Sequence, residues 1–403
     1  MKEVKIEEWL KKNVGLDDNW EVLDVKFYLY PTTINSTVGY KGPFVCPVCG
    51  MECTRYDTRR RTWRDIDFGD SVTNITAIIP RMNCPNHGVR EIEVPWSGRS
   101  SNLTRRFEIE CLNHSLAMPV HLAAGLLNLS DRTIWKIIRR DSDYGMRSLD
   151  LTEMRAVCID ETSSEKGHNY ISLFVNPATG GIVFATIGRD HSTIVEFKIW
   201  LIHHGCNPDT IGVVCCDMSP AYIKGIRECF PNATIVFDKF HVVKTCNDTL
   251  DMVRKKSGLK GKKGKGLRFC FLKNREELDE DTRARIDSVM DDYFYIGKAY
   301  SIKESIRDLY AISDPLIARQ VLYSIIDRCL DSENDDIFDL GITLDRHSEG
   351  ILAWFNTKIN NGISEGNNSV IQAMKRTARG FSEPENMIAL IYLRNFAKNG
   401  ISY

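Results

Sequence analysis

RAVCIDETSSEKGHNYISLFVNPATGGIVFATI, residues 155–187, is the stretch on which the fold turns. It contains three β-rich runs, RAVCI, NYISLFV and GIVFATI, dense in Val, Ile and Phe. The last two flank Pro177-Ala178-Thr179-Gly180-Gly181, a turn-forming cluster, so they read as a hairpin. Downstream, residues 192–205 (STIVEFKIWLIHHG) carry helical periodicity, and residues 212–217 (GVVCCD) return to a strand. Pro220 opens another helix, and residues 234–238 (TIVFD) form a short strand. From Ser257 to about Arg346 the text is a glycine-lysine loop (SGLKGKKGKG) and then charged amphipathic helices, without a strand-like run. Helical text resumes at Glu365.

A hairpin-led sheet with helices, interrupted by an all-helical block, is a mixed α/β layout. Hairpin strands come first and parallel additions follow, an order that fits a ribonuclease H-like sheet better than a doubly wound nucleotide-binding one. No glycine-rich phosphate loop follows any of the strands, which also speaks against nucleotide binding. Upstream, residues 1 to about 98 read as a short helix and short strands, and 99–150 as helical. A chain of 403 residues accommodates two or three such domains. No apolar run approaches the length needed to cross a bilayer. The segment MKEVKIEEWLKK alternates charge with apolar residues and does not build a signal peptide. No membrane partner is expected, and the cytoplasm is the expected location.

The formal net charge of −1 hides a segregated distribution. Arg55–Arg64 reads RYDTRRRTWR, and Arg254–Arg275 carries ten Lys or Arg without one acid. The compensating acids lie elsewhere, in Glu276–Asp292 and Asp331–Asp339. Such a field suits a protein that grips a polyanion on one side. Most of the thirteen cysteines sit singly in apolar runs and read as small buried hydrophobes.

Four ligand-type residues break that pattern. Cys46-Pro-Val-Cys49-Gly and Cys84-Pro-Asn-His87-Gly are two pairs at two-residue spacing, each closed by glycine. A tight turn lets both side chains of a pair face one ion, and three thiolates with one imidazole suit one structural zinc. Four protein ligands leave no open position for catalysis. The loop between the pairs holds Arg59, Arg60 and Arg61 with Tyr56 and Trp63 interleaved, as a surface touching DNA backbone would. Next, Pro119 can open a helix (PVHLAAGLLNL), Ser130-Asp131 supplies an N-cap, and RTIWKIIRR follows at once. Two short helices with a tight turn, the second basic, match a helix-turn-helix. Arg132, Thr133, Lys136 and Arg139 would lie on its outer face, within reach of a major groove.

Asp160 stands at the end of RAVCI and Asp217 at the end of GVVCC. Two neighbouring strand ends can place two carboxylates a few ångströms apart, where alone they would repel. Two bound magnesium (or manganese) ions remove that conflict and can activate an attacking hydroxyl while steadying the leaving oxygen. A third acid on a helix usually completes such a set. Spacing alone leaves Glu349, Glu365, Glu383 and Glu385 open.

From about Val45 onward the chain resembles the insertion-sequence transposases of the ISL3 family, of the DDE type. The resemblance rests on CPVCG and CPNHG, IDETSSEKGHNY, VVCCDMSPAYIKGIRECFPNATIVFDKFHVVK and NGISEGNNSVIQAMKRTARGF. It implies catalytic, metal-holding roles for Asp160, Asp217 and Glu365. It also implies a ribonuclease H-like domain with an all-helical insertion ahead of the Glu-bearing helix. Asp238-Lys-Phe-His241 is similar to an Asp-x-x-His signature of related transposases, which adds His241 to the candidate catalytic residues. His87 stands where family members commonly show cysteine. The resulting division is 1–98 zinc-binding DNA-recognition module, 99–150 helix-turn-helix, 151–256 first catalytic part, 257–346 helical insertion with basic loop, and 347–403 Glu-bearing part. The resemblance implies recognition of terminal inverted repeats, phosphodiester hydrolysis and strand transfer, with double-stranded DNA as partner and at least a homodimer on it. Lys262 and Lys263, in the basic loop, are expected to track phosphates. A catalytically silent, domesticated transposase acting as a regulator is the alternative, and a stand-alone nuclease of the same fold a second.

Overall fold

The computed structural model describes residues 5–99, 102–163, 170–259, 266–359, 362–381 and 383–398, with backbone alone for 363–365 and 398. Among these are fifteen α-helices and two five-stranded sheets. The chain divides into two compact units, Met1–Ser142 and Asp143–Tyr403.

In the first unit, α1 (Ile6–Val14) precedes a sheet of β1 (Trp20–Leu29), β2 (Thr32–Tyr40), β3 (Thr54–Phe68), β4 (Ser71–Cys84) and β5 (Gly88–Glu91). The order is β1-β2-β4-β3, with β5 paired to β4. The sequence suggested short strands, but β3 and β4 run for 15 and 14 residues, bent by register shifts between Arg55 and Asp57 and between Asp65 and Phe68. Alternation along the inner end of β3 turns Trp63 and Asp65 inward and leaves Arg59 and Arg60 exposed. This corrects the reading of Trp63 as a DNA-contacting residue. Trp63 is 0% exposed, stacks edge-on to Trp96, and donates its indole N–H to Ser97 Oγ at 3.1 Å. Arg61 lies over its ring, 4.8 Å from the centroid.

Three helices follow: α2 (Arg105–Ala117), α3 (Val120–Leu126) and α4 (Asp131–Arg147). Ser130 caps α4, its Oγ accepting from the Thr133 N–H at 3.2 Å. Ile134, Ile137 and Ile138 give α4 a buried face, while Arg132, Lys136 and Arg139 are exposed. Two fully buried acids, Glu108 on α2 and Asp141 on α4, clamp the helices together. Arg105 pairs with both, at 3.0 and 2.8 Å, and Arg140 reaches Glu108 at 2.8 Å. Removing one member strands the rest of a buried network, so Asp141→Ala is expected to cost about 3 kcal/mol. Urea unfolding of the full chain would register it as a lower midpoint for the first transition, and an unchanged midpoint would contradict the clamp.

In the second unit the sheet comprises β6 (Ala156–Ser163), β7 (Tyr170–Val175), β8 (Ile182–Ile187), β9 (Val213–Cys216) and β10 (Thr234–Phe237). Its order is β10-β9-β6-β7-β8, with β6, β7 and β8 antiparallel and β9 and β10 added parallel to β6. Helices α5 (His191–His203) and α6 (Pro220–Cys229) pack against the sheet through Phe197, stacked on Phe174 at 4.3 Å, and Ile226. A Cβ on Gly225 of α6 would lie 2.8 Å from Ile194 of α5, so only glycine permits that helix approach.

After α7 (Lys239–Lys256) come α8 (Leu267–Leu272), α9 (Glu280–Asp292), α10 (Phe294–Leu309), α11 (Pro315–Leu330), α12 (Asp335–Arg346), α13 (Ser348–Thr357), α14 (Gly362–Thr377) and α15 (Pro384–Lys398). Among the described residues no strand interrupts them, as the text between Ser257 and Arg346 suggested. Lys303 of α10 is buried, its ammonium donating to the carbonyls of Phe271 and Lys273 at 2.9 and 3.0 Å, which fixes the end of α8. The edge strand β8 is closed by α15. Asn395 exchanges two hydrogen bonds with the Ile182 backbone, at 2.8 and 3.0 Å, and the Tyr392 hydroxyl meets the backbone N–H and C=O of Ala185. No helix among the described residues is long and apolar enough to cross a membrane.

Candidate active site and metal centre

Asp160 and Asp217 are brought together by strand register. Cys158 pairs with Cys215 between β6 and β9, and each acid stands two residues beyond that pair. Neighbouring strands lie about 4.8 Å apart, so the two carboxylates sit at matching heights on adjacent strands. One detail differs from the sequence reading. β6 does not end at Asp160 but continues to Ser163 along β7, with Asp160 opposite Leu173. What ends at this height is the pairing with β9, which opens a gap between the two acids.

A cleft of about 180 Å³ is lined there by Asp160, Asp217, Glu161, Tyr222, His241 and Lys244, among others. His241 enters because Asp238 follows β10 directly and serves as N-cap of α7, which places His241 in the first turn. Lys244 follows one turn later. The Asp217 carboxylate accepts from the Ser219 N–H at 2.9 Å, and Asp160 Oδ1 accepts from the Glu161 N–H at 2.8 Å. The Tyr222 hydroxyl lies 2.7 Å from Ser172 Oγ, which in turn lies 2.7 Å from the Gly188 carbonyl, so the tyrosine is held in place. Burial pushes the Glu161 carboxyl up, with Tyr222 opposing and the charge on Asp217 adding to the rise.

Glu365 falls in the first turn of α14, and its side chain lies outside the described residues. The helix itself is docked on β6. Asn368 Nδ2 donates to Asp160 Oδ2 at 2.6 Å, Gln372 to Thr162 Oγ1 at 2.7 Å, and Lys375 to the Ser163 carbonyl at 2.8 Å. Of the other acids left open, none of Glu349, Glu383 and Glu385 lines the cleft; Glu349 borders a separate groove with Arg227, Arg346 and His347. The sequence reading missed Glu161, Tyr222, Lys244 and Asn368. Asn368 had a usable signal, since it stands three residues after Glu365 within SEGNN.

Cys46, Cys49, Cys84 and His87 converge, with ligand atoms all within 4.8 Å of one another. Cys49 Sγ lies 3.8 Å from Cys84 Sγ, and His87 Nδ1 lies 3.7 and 3.6 Å from the sulfurs of Cys46 and Cys84. These are the edges of a tetrahedron whose centre is roughly 2.3 Å from sulfur and 2.0 Å from nitrogen, the bond lengths of zinc. Gly50 and Gly88, at φ 70° and 67°, permit the reversals after each pair. At Cys84, burial raises the thiol, but the N–H groups of Asn86 and His87 and the neighbouring thiols outweigh it and bring it to about 7. The residues present fit zinc in number, softness and spacing.

Among the basic candidates, Arg59, Arg60, Arg132, Lys136 and Arg139 are exposed, and Arg61 is half-buried near Glu91 at 3.7 Å. Lys262 and Lys263 lie outside the described residues. The described flanks of that basic run are matched by acids, Arg254 and Lys255 by Asp251, Lys256 by Asp336 and Arg275 by Asp287.

Residues 42–87 match a family model described as zinc-finger of transposase IS204/IS1001/IS1096/IS1165. Residues 92–141 match the helix-turn-helix domain of transposase family ISL3, and residues 157–391 match the ISL3 DDE model, described as Transposase. The chain is 26% identical over 387 residues to the transposase for insertion sequence element IS1557 of Mycobacterium tuberculosis, covering 86% of this chain and 85% of that protein. It is 25% identical over 351 residues to the transposase for insertion sequence element IS1001 of Bordetella parapertussis, covering 85% and 86%. A zinc-binding module, a helix-turn-helix and a carboxylate-lined α/β domain in one chain define a DNA transposase of the DDE class. The transposase model spans more than half of the residues, and the chain belongs to the ISL3 family of insertion-sequence transposases.

Proposed function

We propose that Asp160, Asp217 and Glu365 hold two magnesium or manganese ions and that the chain cleaves DNA at the ends of its element and joins them to a target. The observation that carries this reading is the shared cleft of Asp160, Asp217 and His241, with α14 docked on Asp160. Hard carboxylate oxygens, side by side where they would otherwise repel, are the donor set such cations take. The chemistry that two bound ions supply is activation of water or a 3′-hydroxyl and stabilisation of the leaving oxygen. His241, in the first turn of α7 and on the cleft wall, would contact a scissile phosphate. Lys244 adds positive charge on the same wall.

The layout supports a ribonuclease H-like catalytic domain formed by 151–256 and 347–403, with 257–346 as its helical insertion. Residues 1–98 and 99–150 then read the terminal inverted repeats through the zinc module and the helix-turn-helix. Arg59, Arg60 and Arg61 meet phosphates there, and Lys262 and Lys263 track them elsewhere. Arg132, Lys136 and Arg139 face the major groove. Bringing two element ends together calls for a homodimer or higher on DNA, in the cytoplasm.

Supplying uncut and, separately, pre-cut element ends with a target plasmid and either metal tests the reading. Joined products are expected. Cleavage of uncut ends without any joining would make the protein a nuclease, and neither product would support a silent regulator. For recognition, Arg132→Ala with Lys136→Ala is expected to weaken binding to the element end by about 2–4 kcal/mol, and to flatten its salt dependence if either side chain meets phosphate. Fluorescence anisotropy across a salt series measures both, and unchanged affinity would remove α4 from the interface.

A further inference from the structure

Asn368 makes contacts that helix docking alone does not call for. Its Nδ2 donates at 2.6 Å to Asp160 Oδ2 and at 3.3 Å to the Glu161 carbonyl. Both partners are acceptors, so the amide has one sensible orientation; turned over, its oxygen would face a carboxylate and a carbonyl. With Nδ2 fixed in this way, Oδ1 points elsewhere, buried and without a protein hydrogen-bond partner among the described residues. A buried orphan acceptor calls for a donor beyond the described residues. Meanwhile Asp160 Oδ1 is engaged by the Glu161 N–H, so both oxygens of the carboxylate are oriented.

The helix that carries Asn368 is independently registered on β6. Gln372 and Lys375, four and seven residues on, reach Thr162 and Ser163. This three-point attachment holds Asn368 at a fixed height over Asp160, and Glu365 stands one turn before it on the same helix.

We propose that Asn368 is a positioning residue of the cation site. Its amide group orients the Asp160 carboxylate toward the ion. This rests on the metal-holding role proposed for Asp160. Groups that orient a ligand in this way tune metal affinity as much as geometry.

The test uses the full-length, zinc-loaded chain with manganese as the probe. Free Mn²⁺ is followed by electron paramagnetic resonance, and end cleavage is followed against metal concentration. Asn368→Ala is expected to raise the Mn²⁺ half-saturation about 10- to 100-fold. Cleavage should fall by a similar factor at low metal and recover in part at high metal. Gln372→Ala, which removes a neighbouring docking contact of the same helix, is the structural control and is expected to leave the half-saturation unchanged. Asn368→Asp keeps the shape but sets a carboxylate against Asp160, and is expected not to restore cleavage. If Asn368→Ala and Gln372→Ala lower cleavage equally with Mn²⁺ half-saturation unchanged, Asn368 merely holds the helix and the proposal fails. If Asp160→Asn itself leaves Mn²⁺ binding and cleavage intact, the underlying assignment of the site fails instead.

Discussion

Replacing Asp217 with asparagine is expected to reduce strand cleavage at an element end at least about a thousandfold while the protein remains folded. The change is nearly isosteric, and the amide oxygen can still accept from the Ser219 N–H, the bond that fixes the β9–α6 turn at 2.9 Å. What is lost is one negative charge beside Asp160 and with it the hard ligand proposed above. Cation stabilisation of a phosphoryl transition state supplies several kcal/mol, and roughly 4 kcal/mol corresponds to three decades in rate. Single-turnover cleavage of a labelled end, with melting temperature as the control, measures it. A folded variant within tenfold of the parent chain would take Asp217 out of the active centre.

Zinc removal should have the second large effect, confined to DNA recognition. The ion would tie the turn at Cys46–Cys49 to the turn at Cys84–His87, next to the 15- and 14-residue strands β3 and β4, and β3 carries Trp63, which packs on Trp96. Structural zinc in small modules contributes on the order of 10 kcal/mol, far more than this region can lose and stay ordered. Cys84→Ser, or a chelator strong enough to strip the metal, is therefore expected to lower affinity for element ends at least about a hundredfold. Cys84 is the better target because it is buried and is held near pH 7, ready to bind as thiolate. Released zinc can be counted with a chromogenic chelator alongside DNA binding. Full release with unaltered binding would show that the module does not read DNA.

How far the sequence speaks depends on what kind of constraint places each residue. The Cys46–His87 tetrahedron was legible because two short spacings and two glycines are local rules. The Asp160–Asp217 pair was legible because both acids close apolar runs that must be neighbours in a sheet. Trp63 misled because basic residues surround it in the text, whereas the two-residue period of a strand turns it inward among Trp20 and Trp96. The true end of β6 was hidden as well. DETS is polar, and only pairing with β7 keeps it extended. Asn368 lay in plain view inside SEGNN, but its contact with Asp160 spans 208 residues, and no local pattern encodes that distance.

That span has a consequence in time as well as in space. A ribosome adds residues in order, at roughly 5–20 per second in the cell. The zinc ligands and the α4 helix emerge first, the two aspartates next, and α14 about 10–40 s after Asp160, at that pace. During that interval the emerging polypeptide already carries the elements matched to a DNA sequence, while the latch that bears on its first aspartate has yet to be made. Reading thus precedes cutting in the life of each molecule, and an interrupted translation product inherits the address without the blade.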